Sequence, residues 1–90
     1  MSVGLDNAEF RQLAEDVKNL TSKPDNGTFL KLYAHFKQAT VGDNTTDAPG
    51  MFDLTAKAKW NAWKELGGMS QDDATLKYIE TARATIAKHS

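Results

Sequence analysis

The chain has no cysteine, two prolines and no long hydrophobic run. Without thiols there can be no disulfide framework, no thiolate nucleophile and no cysteine-based metal site. No apolar stretch approaches the roughly 20 residues that a membrane-spanning helix needs. Nor is there an excess of one charge: eleven basic residues face twelve acidic ones over 90 positions. A nucleic-acid binder usually carries a basic surplus, so that class is disfavoured. The opening Met1-Ser2-Val3-Gly4-Leu5-Asp6 lacks a basic start followed by an apolar core, so no secretory signal is expected. A soluble, cytoplasmic protein without stable membrane insertion is the expectation. The triplets Asn26-Gly27-Thr28 and Asn44-Thr45-Thr46 are then read as coincidental matches to a glycosylation acceptor. Internal repeats, low-complexity tracts and alternating hairpin patterns are also missing.

What is present is helical periodicity. Phe10, Leu13, Ala14, Val17 and Leu20 recur at spacings of three and four, predicting a first helix from about Asn7 to Leu20. Thr21-Ser22-Lys23-Pro24 ends it, and Asp25 or Asn26 can cap a second helix that runs to about Val41. The polar, turn-rich stretch Gly42–Gly50 is long enough to cross the molecule. A third helix begins between Met51 and Thr55 and stops at the Gly67-Gly68 pair. Ser70 with Asp73 resembles a capping box and opens a fourth helix to about Lys88. One all-α domain spanning 1–90 follows. A chain of this size buries roughly 60–65% of its unfolded surface, enough for a single core without staples.

Two of these helices carry a lysine inside the apolar stripe. At 100° per residue from Phe29, the stripe contains Leu32, Phe36, Tyr33, Leu30, Val41 and Ala34, and Lys37 falls at about 80°, between Tyr33 and Leu30. Lys31, His35 and Gln38 share the opposite side and are expected to face water. On the third helix, with Ala56, Trp60, Ala62, Trp63 and Leu66 in the stripe, Lys59 lies between Leu66 and Trp63. Lys18 sits at the margin of the first helix's stripe. Such lysines either snorkel, stems on the core and ammonium groups in water, or meet an anion. Tyr33 lies one turn before Lys37, so phenol and ammonium can reach the same group. Several point charges beside aromatic rings suit a phosphorylated small molecule; no arginine fork is present. Tyr78 shares the apolar side of the last helix with Ala74, Ala82 and Ile86, a position where a tyrosine more often packs in the core than contacts a ligand.

Three segments carry a resemblance to a known family: Tyr33-x-x-Phe36-Lys37-Gln38-Ala39-Thr40-Val41-Gly42-Asp43, Pro49-Gly50-Met51-Phe52-Asp53 and Lys57-Ala58-Lys59-Trp60-x-Ala62-Trp63. In that order they resemble the acyl-CoA-binding proteins, over roughly Phe10 to Ala87. The resemblance implies a four-helix, up-down-down-up bundle with the long crossing between helices two and three. It implies a non-catalytic carrier, working as a monomer without cofactor or metal, that binds medium- to long-chain fatty acyl-CoA esters and buffers their pool. Its partners would be enzymes that donate or accept those esters. By motif match, Tyr33, Lys37 and Lys59 would contact the coenzyme A head group, notably the ribose 3′-phosphate and adenine. Lys18 and Tyr78 match further ligand positions, and Phe29, Leu30 and Ala14 match the acyl-lining ones. Phe36 stands where the family usually has tyrosine: its ring can still stack, but a hydroxyl hydrogen bond of about 0.5–1.5 kcal/mol is lost. Phe29 replaces a more flexible apolar residue common in the family.

Two rival readings remain at this level. A catalytic role lacks support, because His35 and His89 have no evident carboxylate-and-nucleophile arrangement and no phosphate-loop glycine motif occurs. A purely structural or protein-interaction bundle would place Trp60 and Trp63 in the core and the lysines in solvent. Both tryptophans are expected to be mostly core, with Trp60 nearer any ligand.

Overall fold

A computed structural model describes residues 3–89, and every regular element among them is helical. α1 spans Val3–Asp6, α2 Ala8–Lys18, α3 Asn26–Thr40, α4 Leu54–Lys64 and α5 Gln71–His89. None of these helices is long and apolar enough to cross a membrane.

The helix starts are set by side-chain caps, each replacing water at an orphan N–H and worth about 1 kcal/mol. The Asn7 amide oxygen accepts from the Phe10 N–H at 3.0 Å, and Asp25 accepts from Thr28 at 2.7 Å. Asp53 accepts from Ala56 at 3.1 Å, and the Ser70 hydroxyl accepts from Asp73 at 3.0 Å. The capping half of the Ser70/Asp73 signature is therefore present. At the other ends, Gly42 and Gly68 take positive φ of 96° and 91°, which side chains disfavour. Gly42 donates to the Lys37 and Gln38 carbonyls as α3 stops.

The helix backbones pack in the order α4, α3, α5, α2; those of α2 and α3 do not approach closely and meet through side chains such as Phe10 on Phe36, and those of α4 and α5 stay apart. The Cα envelope measures 35 × 29 × 16 Å. The core lies on the side of α3 away from α4, where Phe10, Leu32, Ala39, Ala74, Tyr78, Ile79 and Ala82 are buried together. Leu13, Ala14, Val17, Phe36 and Met69 close around them.

The four expected helices are present, and α1, whose four residues are too short to show a period, is added to them. α1 docks on α3 and α5 through Gly4, where a Cβ would stand 3.0 Å from that of Ala39 and 3.1 Å from the Phe10 ring. Only glycine permits that approach without displacing the core. One expectation needs correction: His35 and Gln38 do not face water, being 6% and 0% exposed. Hydrogen bonds make this possible. A His35 Nδ1 bond to the Lys31 carbonyl spans 2.7 Å, and Gln38 Nε2 donates to Asp43 Oδ1 and to the Met69 carbonyl, both at 2.8 Å. Lys31 does lie on the exposed surface.

Candidate functional site

Besides its packing on α3, α4 is held by hydrogen bonds to the crossing segment of residues 41–53. Trp63, 5% exposed, donates its indole N–H to the Gly42 carbonyl at 2.8 Å. Trp60 donates to the Thr46 hydroxyl at 2.9 Å. Asn44 is buried at 2% exposure, and its amide donates to the Trp60 carbonyl while accepting from the Thr46 N–H and hydroxyl. The second Asn-x-Thr triplet is thus committed to the fold. Gly68 N–H and Gln38 both bond Asp43, joining the start of the crossing to the turn after α4. Those two bonds hold the Asp43 carboxyl below its ordinary value.

This frame positions a cleft of ≈ 520 Å³ between α3, α4 and the crossing. Tyr33 and Lys37 line it from α3, Lys59, Trp60 and Trp63 from α4, and Thr46 and Pro49 from the crossing. The two lysines rest on aromatic faces. Lys37 Nζ lies 5.0 Å from the Trp63 ring centroid, and Lys59 Nζ lies 5.4 Å from Phe29 and 5.5 Å from Tyr33. A π-face orients an ammonium group for about 0.5–1 kcal/mol and leaves its charge uncancelled. Among the described residues neither lysine makes a salt bridge; the ion pairs there are Lys77–Glu80 and Arg83–Glu9. Asp53 also lines the cleft, but its carboxylate caps α4. The cleft therefore presents two oriented, unneutralised cations beside a phenol and indole rings, and a compact anion with a flat aromatic group fits that arrangement.

At Thr55 and Lys59 the cleft meets a second, apolar groove of ≈ 280 Å³. Phe29 and Leu30 line it from α3, Leu54 and Ala58 from α4. Exposed apolar surface at its edge is large: Phe29 is 44% and Leu54 75% accessible. Contiguous exposure of this kind marks a ligand groove or an interaction surface.

Five of the residues singled out from the sequence are thus brought together: Tyr33, Lys37 and Lys59 in the cleft, Phe29 and Leu30 in the groove. Four are not. Phe36 stacks on Phe10 with ring centroids 5.3 Å apart, and Tyr78 packs on the same ring at 4.6 Å. Tyr78 is 4% exposed, and burial pushes its phenol up to about 12. Ala14 packs against the core, and Lys18 stands exposed in the last turn of α2, where a cation favours the helix dipole. Sequence reasoning missed Thr46, Thr55, Leu54 and Ala58. Leu54 and Ala58, four apart, form one apolar row on α4, but beside two tryptophans that row reads as ordinary core. Among the described residues no cluster of histidine, aspartate and glutamate could hold a metal ion.

A cationic, aromatic-walled cleft running into an apolar groove defines a binding protein for an amphipathic anion. The comparisons with known proteins give that class its family. Residues 7–82 match the family described as acyl CoA binding protein. Acyl-CoA-binding protein homolog 1 of Caenorhabditis elegans is 55% identical over 80 residues, covering 89% of this chain and 93% of the relative. The acyl-CoA-binding protein homolog of Drosophila melanogaster is 48% identical over 82 residues, covering 91% and 95%. The crystal structure of Oryza sativa acyl-CoA-binding protein 2 superposes with a TM-score of 0.83 at 40% identity, covering 89% of each chain. The solution structure of the yeast acyl coenzyme A binding protein gives 0.77 at 44% identity, covering 92% and 96%. The chain belongs to the acyl-CoA-binding protein family.

Proposed function

We propose that this protein binds medium- to long-chain fatty acyl-CoA esters without chemically altering them. The observation that carries the reading is the junction at Thr55 and Lys59, where the cationic cleft and the apolar groove share a wall. In this reading the coenzyme A head group occupies the cleft, with its phosphate on Lys37 and Lys59 and its adenine against the aromatic walls. The acyl chain lies between Phe29, Leu30, Leu54 and Ala58. Each methylene buried contributes about 0.8 kcal/mol, so a chain of sixteen carbons offers on the order of 10 kcal/mol before ordering costs. The phosphates supply orientation and discrimination against free fatty acids. Phe36 and Tyr78 would act indirectly, by fixing the inner face of the helix that carries Tyr33 and Lys37, whereas Ala14 and Lys18 of α2 line neither the cleft nor the groove. A cytoplasmic monomer that receives esters from synthesising enzymes and delivers them to consuming ones is the role this chemistry serves.

Native mass spectrometry of the protein purified from cells tests the proposal. One acyl-CoA per chain is the expected adduct, released by denaturation. Protein that carries no ester and acquires none when incubated with palmitoyl-CoA would contradict it.

A further inference from the structure

The apolar groove has a second recess behind it. Gly27, Leu30 and Ala34 of α3, with Ala62 of α4 and Leu66 just beyond it, line a space of ≈ 310 Å³ whose lining also includes Lys31, His35 and Glu65. Leu30 is common to the linings of both spaces. Its neighbours along the seam are small. Gly27 and Ala34 lie one turn to either side of it on α3. On α4, Ala58 and Ala62 are one turn apart, the first in the front groove and the second in the rear recess. A bulky side chain thus stands at one point in a row of glycine and alanine, with apolar space on both sides.

We infer that Leu30 is the partition that ends the acyl groove and so sets the chain length the protein accommodates. The inference rests on the acyl-CoA reading above and extends it to specificity. A methylene inside the groove leaves water and raises affinity about fourfold. One that would lie beyond Leu30 finds no apolar wall and adds little. Affinity therefore climbs with chain length and then levels. Truncating Leu30 joins the front groove to the rear recess, and the levelling moves to longer chains.

The test is a titration of the parent, Leu30→Ala, Leu30→Phe and the double variant Leu30→Ala/Ala62→Phe with saturated esters from dodecanoyl-CoA to docosanoyl-CoA. Relative to the parent, Leu30→Ala should raise the docosanoyl-to-hexadecanoyl affinity ratio at least about tenfold, a few methylenes' worth. Filling the recess with Ala62→Phe should cancel that gain, and Leu30→Phe should move the levelling to shorter esters. A Leu30→Ala protein that loses the same factor at every length has merely lost a wall contact, and the inference falls. It falls equally if the double variant keeps the gain. A parent that binds dodecanoyl-CoA while its variants show no change in length profile overturns the partition alone. A parent that binds none of the esters overturns the acyl-CoA reading as well.

Discussion

Replacing Lys59 by alanine separates the two states in which its ammonium group has a role. In the free protein Nζ rests 5.4 Å and 5.5 Å from the Phe29 and Tyr33 ring centroids. Losing that cation–π contact costs about 0.5–1 kcal/mol. For a domain of this size the melting temperature should drop by about 2–8 °C. In the proposed complex the same group would make a charge-assisted hydrogen bond to phosphate worth about 1.5–3 kcal/mol, so affinity for palmitoyl-CoA should fall roughly 10- to 150-fold. Calorimetry with palmitoyl-CoA and its 3′-dephospho analogue isolates the phosphate. The analogue should bind the parent more weakly, and Lys59→Ala should weaken it much less than it weakens the complete ligand. Lys59→Met, which keeps the stem but not the charge, should behave like alanine in binding while retaining more of the packing. If Lys59→Ala binds palmitoyl-CoA as the parent does, or loses equally for both ligands, the lysine is a snorkelling surface residue and the reasoning fails.

Gln38→Ala removes two 2.8 Å bonds from a fully buried amide and strands the Met69 carbonyl, which should cost about 2–4 kcal/mol in urea unfolding. A loss below about 1 kcal/mol would show that the amide does not tie α3 to the turn before α5. Alkaline stability should depend on Tyr78. Below pH 10.0 its phenol is neutral in both states; above it the unfolded chain gives up the proton first, so stability falls as pH rises towards about 12. Melting curves of Tyr78→Phe should lack that component of the alkaline loss, and an identical alkaline arm in both proteins would refute the assignment.

Much of this architecture is legible in the sequence because burial imposes a period. The stripe Phe10, Leu13, Ala14 and Val17 predicts α2, and Asp25 and Ser70 mark helix starts where the structure uses them. Lys37 and Lys59 stand out for the same reason: a cation within an apolar stripe violates the period. Legibility ends where a residue's role comes from a distant partner. Gln38 reads as solvent-facing because it is polar, yet its amide nitrogen donates to Asp43 and to the Met69 carbonyl in the interior. Asn44 reads as a turn residue in a polar linker, whereas its amide organises the crossing around Trp60. The grooved face of α4 escapes notice because Leu54 and Ala58 repeat like any core row, and only the folded chain shows them lining an open groove. The resemblance points to Phe36 and Tyr78 as ligand positions, but the packing of both on Phe10 can be seen only in the folded chain.

The central claim is that one site binds both halves of an amphipathic ester, phosphates in the cleft and chain in the groove. Calorimetric titration of the protein with palmitoyl-CoA, palmitate and free coenzyme A tests it most directly. The account predicts one-to-one binding of palmitoyl-CoA that is far tighter than that of either fragment. Palmitate binding as tightly as palmitoyl-CoA would contradict it, because Lys37 and Lys59 would then contribute nothing to recognition.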